Sequence, residues 1–219
     1  MSTDTTTTPH LTIDGTRPPS RDLVADLHAF ADRVEDTQAA VAVLHLTGGA
    51  TTEQAPLDIA LVNKWERALR RLERLSATTV ATVHDECGGV ALEALLTTDY
   101  RIGTPDVTLR LPSGSGPSAA WPGMALYRLA NQVGVARVRR AVLFDVPVTA
   151  STAVELGLLD QLAPSLDAAT HLANTFTPTP ASDVAVRRQL LLEATTTTFE
   201  DALGRHLAAC DRVLRGGAA

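Results

Sequence analysis

A glycine-bearing loop followed by a single acid is the part of this chain best suited to chemistry. Gly88 and Gly89 come directly after an apolar segment typical of a strand, and Glu93 lies a turn inside the short helix that they open. A helix that begins at glycines presents backbone N–H groups without intrahelical acceptors, and these suit an oxyanion or a phosphate. Such donors beside one carboxylate can stabilise a developing enolate. The segment from Val83 to Asp99 is therefore the candidate site.

Each of these residues also has a purely structural interpretation. Glu93 is either a general acid/base in a partly apolar pocket or an ordinary first-turn glutamate that the helix dipole stabilises. Gly88 and Gly89 either let the backbone approach a ligand oxygen or form a tight turn that needs positive φ. The two interpretations of the glycines are compatible, because an oxyanion site requires such a turn.

The neighbouring His84 and Cys87 are weaker candidates. A lone cysteine is usually a small buried apolar residue, so a nucleophilic role for Cys87 has little support. His84, Asp85 and Glu86 are consecutive, and an extended segment cannot aim all three side chains at one metal ion. We therefore expect a solvated loop and no metal site at these residues.

The composition excludes several classes of protein. The chain has 219 residues, 45% of them apolar, which is enough for a sizeable core. Asp and Glu total 25 against 19 Lys and Arg, so the basic surface of a nucleic-acid binder is missing. No apolar run reaches the ~18 residues of a membrane helix, no secretory signal opens the chain, and two cysteines make no disulfide framework. We expect a cytoplasmic protein without a nucleic-acid or membrane partner.

The candidate segment lies within an alternation of strands and helices. Residues 1–10 form a Thr-rich tail that we expect to be disordered. Strands are predicted at residues 11–13, 39–46, 107–111 and 158–163 and at both ends of the candidate segment, and helices at 20–35, 58–75, 124–131, 135–143, 151–156 and, in two or three pieces, 166–214. Ser20 and Asp58 are the candidate N-caps of the first two helices. This order predicts an α/β domain with a mostly parallel sheet.

Four segments of the chain resemble one known family. Residues 43–49 form a strand that ends in Thr-Gly-Gly, and residues 83–99 are the candidate segment itself. Residues 122–134 contain a Pro-Gly pair followed by Tyr-Arg-Leu and a later Gly, and residues 152–159 are a helical segment that ends in Gly-Leu-Leu. On these segments the chain resembles the crotonase family of enoyl-CoA hydratases and isomerases. The resemblance implies an α/β crotonase-like ββα superhelix, with a core over 11–165 and a helical C-terminal oligomerisation region over 166–219.

The resemblance also implies what the site residues would do. It implies acyl-CoA substrates, no cofactor beyond the coenzyme A thioester itself, an oxyanion hole of two backbone N–H groups, and a homotrimer or hexamer. One N–H group corresponds to Val90, next to Gly89, where the branched side chain narrows the site without removing the donor. Glu93 corresponds to the first of the family's two glutamates.

Two positions depart from the family pattern. The second glutamate follows a proline, and here Pro112 precedes Ser113, whose hydroxyl cannot act as a carboxylate. The loop that supplies the second oxyanion donor is much shorter, and Gly49 and Ala50 are its nearest substitute. The Gly/Pro/Ser loop at 112–122 also matches the G-x-G-x-x-A dinucleotide pattern, but its prolines interrupt the helix that would receive a pyrophosphate. We interpret it as a loop over the acyl pocket.

Residues 64–69 and 121–129 are most similar to one short branch of the family. That branch contains the enoyl-CoA-hydratase-like accessory proteins of dihydroxyphenylglycine biosynthesis in glycopeptide-type antibiotic pathways. The resemblance implies a lyase-type role, in which the protein assists a type III polyketide synthase in dehydration and aromatisation to 3,5-dihydroxyphenylacetyl-CoA. The alternative is a catalytically decayed protein that binds and stabilises the synthase or a sister crotonase.

Two further sets of residues keep two interpretations each. Trp121 and Tyr127 either line an acyl pocket or fill the core. The arginines of the second helix either meet coenzyme A phosphates or form a solvated face paired with Glu66 and Glu73, and we favour the solvated face; they are Arg67, Arg70, Arg71 and Arg74.

Overall fold

The computed structural model describes residues 8–49, 58–112, 123–177 and 181–216. Strands and helices alternate in the first half of the chain, and helices dominate the second half. In chain order the elements are β1 (His10–Asp14), α1 (Arg21–Asp36), β2 (Val41–Gly48), α2 (Ile59–Leu72), β3 (Thr78–Cys87), α3 (Gly89–Leu95), β4 (Tyr100–Gly103), β5 (Thr108–Leu109), α4 (Ala125–Gln132), α5 (Val135–Phe144), β6 (Val148–Thr149), α6 (Ala150–Leu156), β7 (Gln161–Leu162), α7 (Leu166–Asn174), α8 (Ala181–Ala194) and α9 (Phe199–Gly216).

The strands form one sheet whose main path is parallel throughout. Its order is β1-β2-β3-β4-β7, with β5 parallel to β3 and β6 antiparallel to β5. In the central register Leu44 lies opposite Leu11 on one side and Ala81 on the other. The predicted mostly parallel α/β sheet is confirmed. Because β1, β2 and β3 run in the same direction, the loops that follow them lie at one edge of the sheet.

Helices cover both faces of the sheet. One face packs against α1, α2 and α3 in a large apolar core that includes Phe30, Leu44, Trp65 and Leu92. On the other face, α7 contributes small residues, with Ala169 packed near the central strands. Strands covered on both sides must be apolar in almost every position, which explains the continuous apolar run that predicted β2.

The two helices of the large core begin where the sequence predicts. The Ser20 hydroxyl accepts from the N–H of Leu23 at 3.1 Å, and the Asp58 carboxylate accepts from the N–H of Leu61 at 2.5 Å. Each side chain satisfies one of the N–H groups that a helix start leaves without an acceptor. Both predicted N-caps are confirmed, and they set the starts of α1 and α2.

Some element boundaries differ from the prediction. The loop predicted at His84–Glu86 is wrong, because these residues belong to β3, which continues to Cys87. Asp85 and Glu86 are nevertheless exposed to solvent, as predicted. Asp85 has a φ of +54°, and the register against β2 shifts next to it, which is how the strand accommodates extra length. The strand predicted at 107–111 shortens to β5, since Val107 donates to the Thr104 carbonyl in a turn.

An arginine of α8, Arg188, anchors that helix to the sheet. All five hydrogen bonds of the Arg188 guanidinium go to the core, two of them to the Asp99 carboxylate at 2.6 Å. The other three go to the carbonyls of Glu73, Leu75 and Ala77. The following helix α9 packs on α8. No helix in the described ranges is long and apolar enough to cross a membrane.

Candidate functional site

A junction of glycines joins the loops after β1, β2 and β3. A Cβ placed on Gly15 would lie 2.5 Å from the carbonyl oxygen of Gly48 and 3.0 Å from that of Gly49, and would also clash with the Gly88 carbonyl. The Gly88 N–H donates to the Gly48 carbonyl at 3.0 Å. Backbone carbonyls cannot move aside like flexible side chains, so only glycine fits at residue 15. The junction brings Gly49 close to the loop that opens α3.

The start of α3 leaves two backbone N–H groups ahead of the first intrahelical hydrogen bond. Gly88 is the N-cap, and its carbonyl accepts from Ala91 at 3.1 Å and from Leu92 at 3.2 Å. The N–H groups of Gly89 and Val90 precede these bonds and have no acceptor within the helix. Gly89 has a φ of +50°, a conformation that glycine adopts without steric cost. The positive-φ turn predicted at the glycine pair is present.

Glu93 is the acid of the short helix that these donors open. It lies three residues after Val90 in α3, on the same side of the helix. Its side chain is only 2% exposed. One carboxylate oxygen, Oε2, accepts a hydrogen bond from the indole Nε1–H of Trp65 in α2 at 2.6 Å. The carboxylate is therefore held between two packed helices.

The second half of the predicted oxyanion site is described only in part. Ala50, Ser113 and Trp121 lie outside the described residues. Gly49 is described, and a Cβ there would lie 2.5 Å from Oε2 of Glu86. Glu86 in turn pairs with Arg110 at 2.9 Å. The backbone at Gly49 thus faces a salt-bridged carboxylate, and the roles predicted for Gly49, Val90 and Glu93 remain predictions.

A large open cavity lies between α2, α4 and α8. Its volume is about 1030 Å³, and its described lining includes Leu96 from the end of α3 and Tyr127 from α4. Glu93 and Val90 are not among the described residues that line it. Tyr127 is half exposed on this cavity, so of its two predicted interpretations the core one is wrong.

A buried arginine joins two walls of this cavity. Arg128 donates to Glu73 from Nε and to Glu66 from Nη2, both at 3.0 Å. Burial opposes its charge, but the carboxylates of Glu73 and Glu66 outweigh burial and raise the pKa of Arg128. Its Nη1 is buried and has no hydrogen-bond partner among the described residues. Glu66 also accepts from the N–H of Met124 at 2.9 Å, which fixes the start of α4 on α2.

Two arginines of α2 form ion pairs, one with a predicted partner and one with residues of α1. Arg70 pairs with Glu73 at 2.7 Å, as the helical spacing predicts. Arg71 reaches across to α1 and pairs with Asp32 at 2.7 Å and Glu35 at 2.6 Å. The predicted solvated and paired face is therefore confirmed at Arg70, whereas Arg71 pairs with α1 and not with Glu66 or Glu73.

The other candidates near α3 are structural. Cys87 is fully buried, and burial raises the pKa of its thiol, which keeps it protonated and poorly nucleophilic. His84 pairs with Asp85 at 2.9 Å on the exposed side of the strand. Across the described ranges, no cluster of three or more His, Cys, Asp or Glu side chains is arranged to hold a metal ion.

Sequence reasoning missed a pair of histidines on neighbouring strands. The His10 and His45 rings stack with centroids 5.1 Å apart and share a hydrogen bond of 2.9 Å. The other nitrogen of His45 bonds to the Thr82 hydroxyl at 2.7 Å. Burial, followed by the nearby imidazoles of His10 and His84, lowers the pKa of His45. The sequence could have indicated this contact only if the parallel pairing of β1 with β2 had been predicted.

Comparison with known proteins agrees with the fold. No family model matches the chain. The chain is 47% identical over 210 residues to a protein of Amycolatopsis orientalis named enoyl-CoA-hydratase, covering 94% of this chain and 95% of that protein. It is also 28% identical over 156 residues to the fatty acid oxidation complex subunit alpha of Aliivibrio fischeri, where it spans 22% of that longer protein.

Solved structures share the same architecture. The crystal structure of an enoyl-CoA hydratase from Mycobacterium smegmatis has a TM-score of 0.79 at 20% identity, and covers 96% of this chain and 88% of that one. Its parallel sheet with flanking helices is the crotonase fold, so the predicted fold class is confirmed. Together with the full-length similarity to the Amycolatopsis protein, this shows that the chain belongs to the crotonase (enoyl-CoA hydratase/isomerase) family.

Proposed function

We propose that this protein acts on an acyl-CoA thioester as a lyase-type member of its family. The observation that carries the proposal is the placement of Glu93 on α3, on the same side of the helix as the Val90 N–H that precedes the first intrahelical bond. The name of the Amycolatopsis relative, enoyl-CoA-hydratase, supports the same class of substrate. No cofactor beyond the coenzyme A of the substrate enters the proposal.

The proposed chemistry is enolate formation followed by loss of water. The thioester oxygen binds at the start of α3, where the Val90 N–H stabilises the negative charge that develops on it. The Glu93 carboxylate removes a proton from the carbon next to the thioester carbonyl. The enolate then expels a hydroxyl from the next carbon, and Glu93 returns the proton to that hydroxyl, which leaves as water. One carboxylate is sufficient, because it ends in the state in which it began.

This scheme fits a chain with Ser113 where the family pattern has its second glutamate. Hydration of an enoyl-CoA with two acids relies on the second carboxylate to hold and activate water. We propose that the substrate is a cyclised tetraketide thioester, which gains aromatic stabilisation when it loses water to give 3,5-dihydroxyphenylacetyl-CoA. A type III polyketide synthase would make that thioester from malonyl-CoA, and the protein would act in dihydroxyphenylglycine biosynthesis for a glycopeptide-type antibiotic.

The test combines the protein with such a synthase and malonyl-CoA and measures 3,5-dihydroxyphenylacetyl-CoA by chromatography. We expect Glu93→Gln to lower the added rate about 10²- to 10⁴-fold, the usual contribution of a general acid/base. The matched control is Glu155→Gln, at an exposed glutamate of α6, and it should keep the full rate. Full output from Glu93→Gln would contradict the catalytic role. Crotonyl-CoA should not be hydrated at the rate of a two-glutamate relative.

A second candidate function is supported by the burial of Glu93. Its carboxylate is almost inaccessible, and it is absent from the described lining of the large cavity. A protein that only stabilises the synthase or a sister crotonase would need no open acid. In that case Glu93→Gln and Glu93→Ala would both keep full output and both still form the complex. Loss of output with an intact complex would exclude the purely binding role.

We also propose that the protein is a homotrimer or hexamer. Large apolar side chains are exposed along α9 at four-residue spacing, namely Phe199, Leu203 and Leu207. Such a stripe on a helix is stabilised when another apolar surface covers it. Light scattering should give a mass three or six times that of the chain, and Leu203→Glu should lower it. A monomeric wild-type protein would contradict this proposal.

A further inference from the structure

Trp65 donates a hydrogen bond to an ionisable group inside the core. It lies in α2, fully buried with the apolar residues of the large core. Its Nε1–H donates to Oε2 of Glu93 at 2.6 Å, across 28 residues of sequence. A buried indole N–H needs an acceptor. Here the acceptor is an ionisable group, and it is the acid that the proposed function uses.

The geometry of this contact restrains the carboxylate strongly. The bulky indole has no room to turn, because Trp65 is packed on all sides and its helix is fixed by Leu69 and Leu72 in the same core. Glu93 lies in the short helix α3, which is itself buried from Val90 to Leu95. A hydrogen bond between two such restrained groups selects one orientation of the carboxylate plane.

The contact also distinguishes the two protonation states of the acid. A hydrogen bond from an N–H group is stronger to an ionised carboxylate than to a neutral carboxylic acid. The indole N–H therefore opposes the cost of burying the charge. In the proposed reaction Glu93 accepts a proton and then releases it. The indole N–H favours the release, because it stabilises the ionised carboxylate more than the neutral acid.

We propose that Trp65 is the positioning residue of Glu93, and that its indole N–H orients the carboxylate and keeps it in the proton-accepting form. This inference rests on the proposed function, in which Glu93 moves the proton. Trp65 itself does not touch the substrate in this scheme. Its effect on the reaction passes entirely through the 2.6 Å hydrogen bond.

The first experiment needs no substrate. The chain contains two tryptophans, so a ¹⁵N-labelled sample gives two indole N–H signals, and Trp65→Phe assigns them. We expect the Trp65 signal to move with pH in the wild-type protein as Glu93 gains or loses its proton. The same signal should stay constant in Glu93→Gln. A Trp65 signal that ignores pH in the wild type, or titrates equally in Glu93→Gln, would overturn the inference.

The second experiment measures the reaction of the same variants with the synthase and malonyl-CoA. Trp65→Phe keeps an aromatic ring and removes only the donor. We expect kcat to fall about 10- to 100-fold with KM little changed, since hydrogen bonds to charged groups have this effect. The acid side of the pH–rate profile should move about one pH unit upward. A purely structural role would lower the amount of folded protein and leave the pH profile where it was.

The two experiments separate the failure of this inference from failure of the proposed function. If Glu93→Gln keeps full output, the proposed function fails, whatever the indole signal does. If Glu93→Gln loses output while Trp65→Phe keeps the wild-type kcat and pH profile, only the positioning role fails. Should Trp65→Phe not fold, Trp121→Phe leaves only the Trp65 signal and so assigns it. The pH titration of that signal in the wild-type protein then still decides the question, with Glu93→Gln as its reference.

Discussion

Removal of the Arg188 side chain should release α8 from the sheet without unfolding the core. Arg188 is 9% exposed and makes five hydrogen bonds, which uses every N–H donor of a guanidinium. Truncation of one partner of a buried ion pair costs about 3–5 kcal/mol. The lower end applies here, because Asp99 keeps its bonds to the N–H and hydroxyl of Thr79 at 2.8 and 2.9 Å. We therefore expect Arg188→Ala to cost about 3 kcal/mol.

Native-state hydrogen exchange measures this cost where it arises. A loss of about 3 kcal/mol corresponds to about 100-fold faster exchange of the α8 amides when the helix recloses faster than an open amide exchanges. The amides of β2 and β3 should keep their protection, since helix opening leaves the sheet intact. Arg188→Lys should recover only part of the protection, because an ammonium cannot bind a carboxylate and three carbonyls in a planar fork.

The neighbouring Arg187→Ala is the matched control, because that side chain is exposed on the same turn of the helix. It should change α8 exchange by less than about 3-fold, as surface substitutions usually do. The reasoning is refuted if Arg188→Ala exchanges like the wild type in α8. It is also refuted if β2 and β3 lose as much protection as α8, because the arginine would then hold the whole fold together.

Three further substitutions and conditions have defined outcomes. The pKa of His45 is lowered in the folded protein, so as pH falls below about 6.5 the imidazole is protonated in the unfolded chain before it is protonated in the folded one. The free energy of unfolding measured in urea should therefore fall as pH is lowered through this range. His45→Gln should make that dependence on pH weaker. Arg128→Met should cost about 3–5 kcal/mol in the same assay, and neutral Gln at both carboxylate partners should recover most of it; a cost below about 1 kcal/mol would contradict the buried triad. Gly15→Ala should lower Tm through its clash with backbone carbonyls, whereas Gly204→Ala, with open space around it in α9, should raise Tm slightly; equal effects would contradict the glycine junction.

The backbone of the fold follows from local patterns in the sequence. Ser20 and Asp58 mark helix starts because their side chains can replace a missing acceptor, which is a property of a few neighbouring residues. The apolar run before Gly48 predicts β2 because a strand covered on both faces has no polar side. The glycine pair before Val90 predicts the turn at the start of α3 for the same local reason.

The contacts that give the candidate site its character are not local. Trp65 is a core residue of α2, and the acceptor of its N–H depends on how α2 packs on α3. Arg188 and Asp99 are 89 residues apart. Such pairs form only when the sheet and its helices are assembled, so no window of sequence contains them.

Two consecutive residues of α2 hold two different parts of the protein. Trp65 donates to the acid of α3, and Glu66 accepts from Arg128 and from the N–H of Met124, the N-cap of α4. Because both depend on the rotation of one helix, a change that turns α2 displaces the acid and the α4 wall together. Substitutions at these sites should therefore be non-additive, and a variant that tolerates one of them would constrain which others the chain can accept next. Over evolution, we expect a substitution at Trp65 or Glu66 to be tolerated only after a compensating substitution at a neighbouring position.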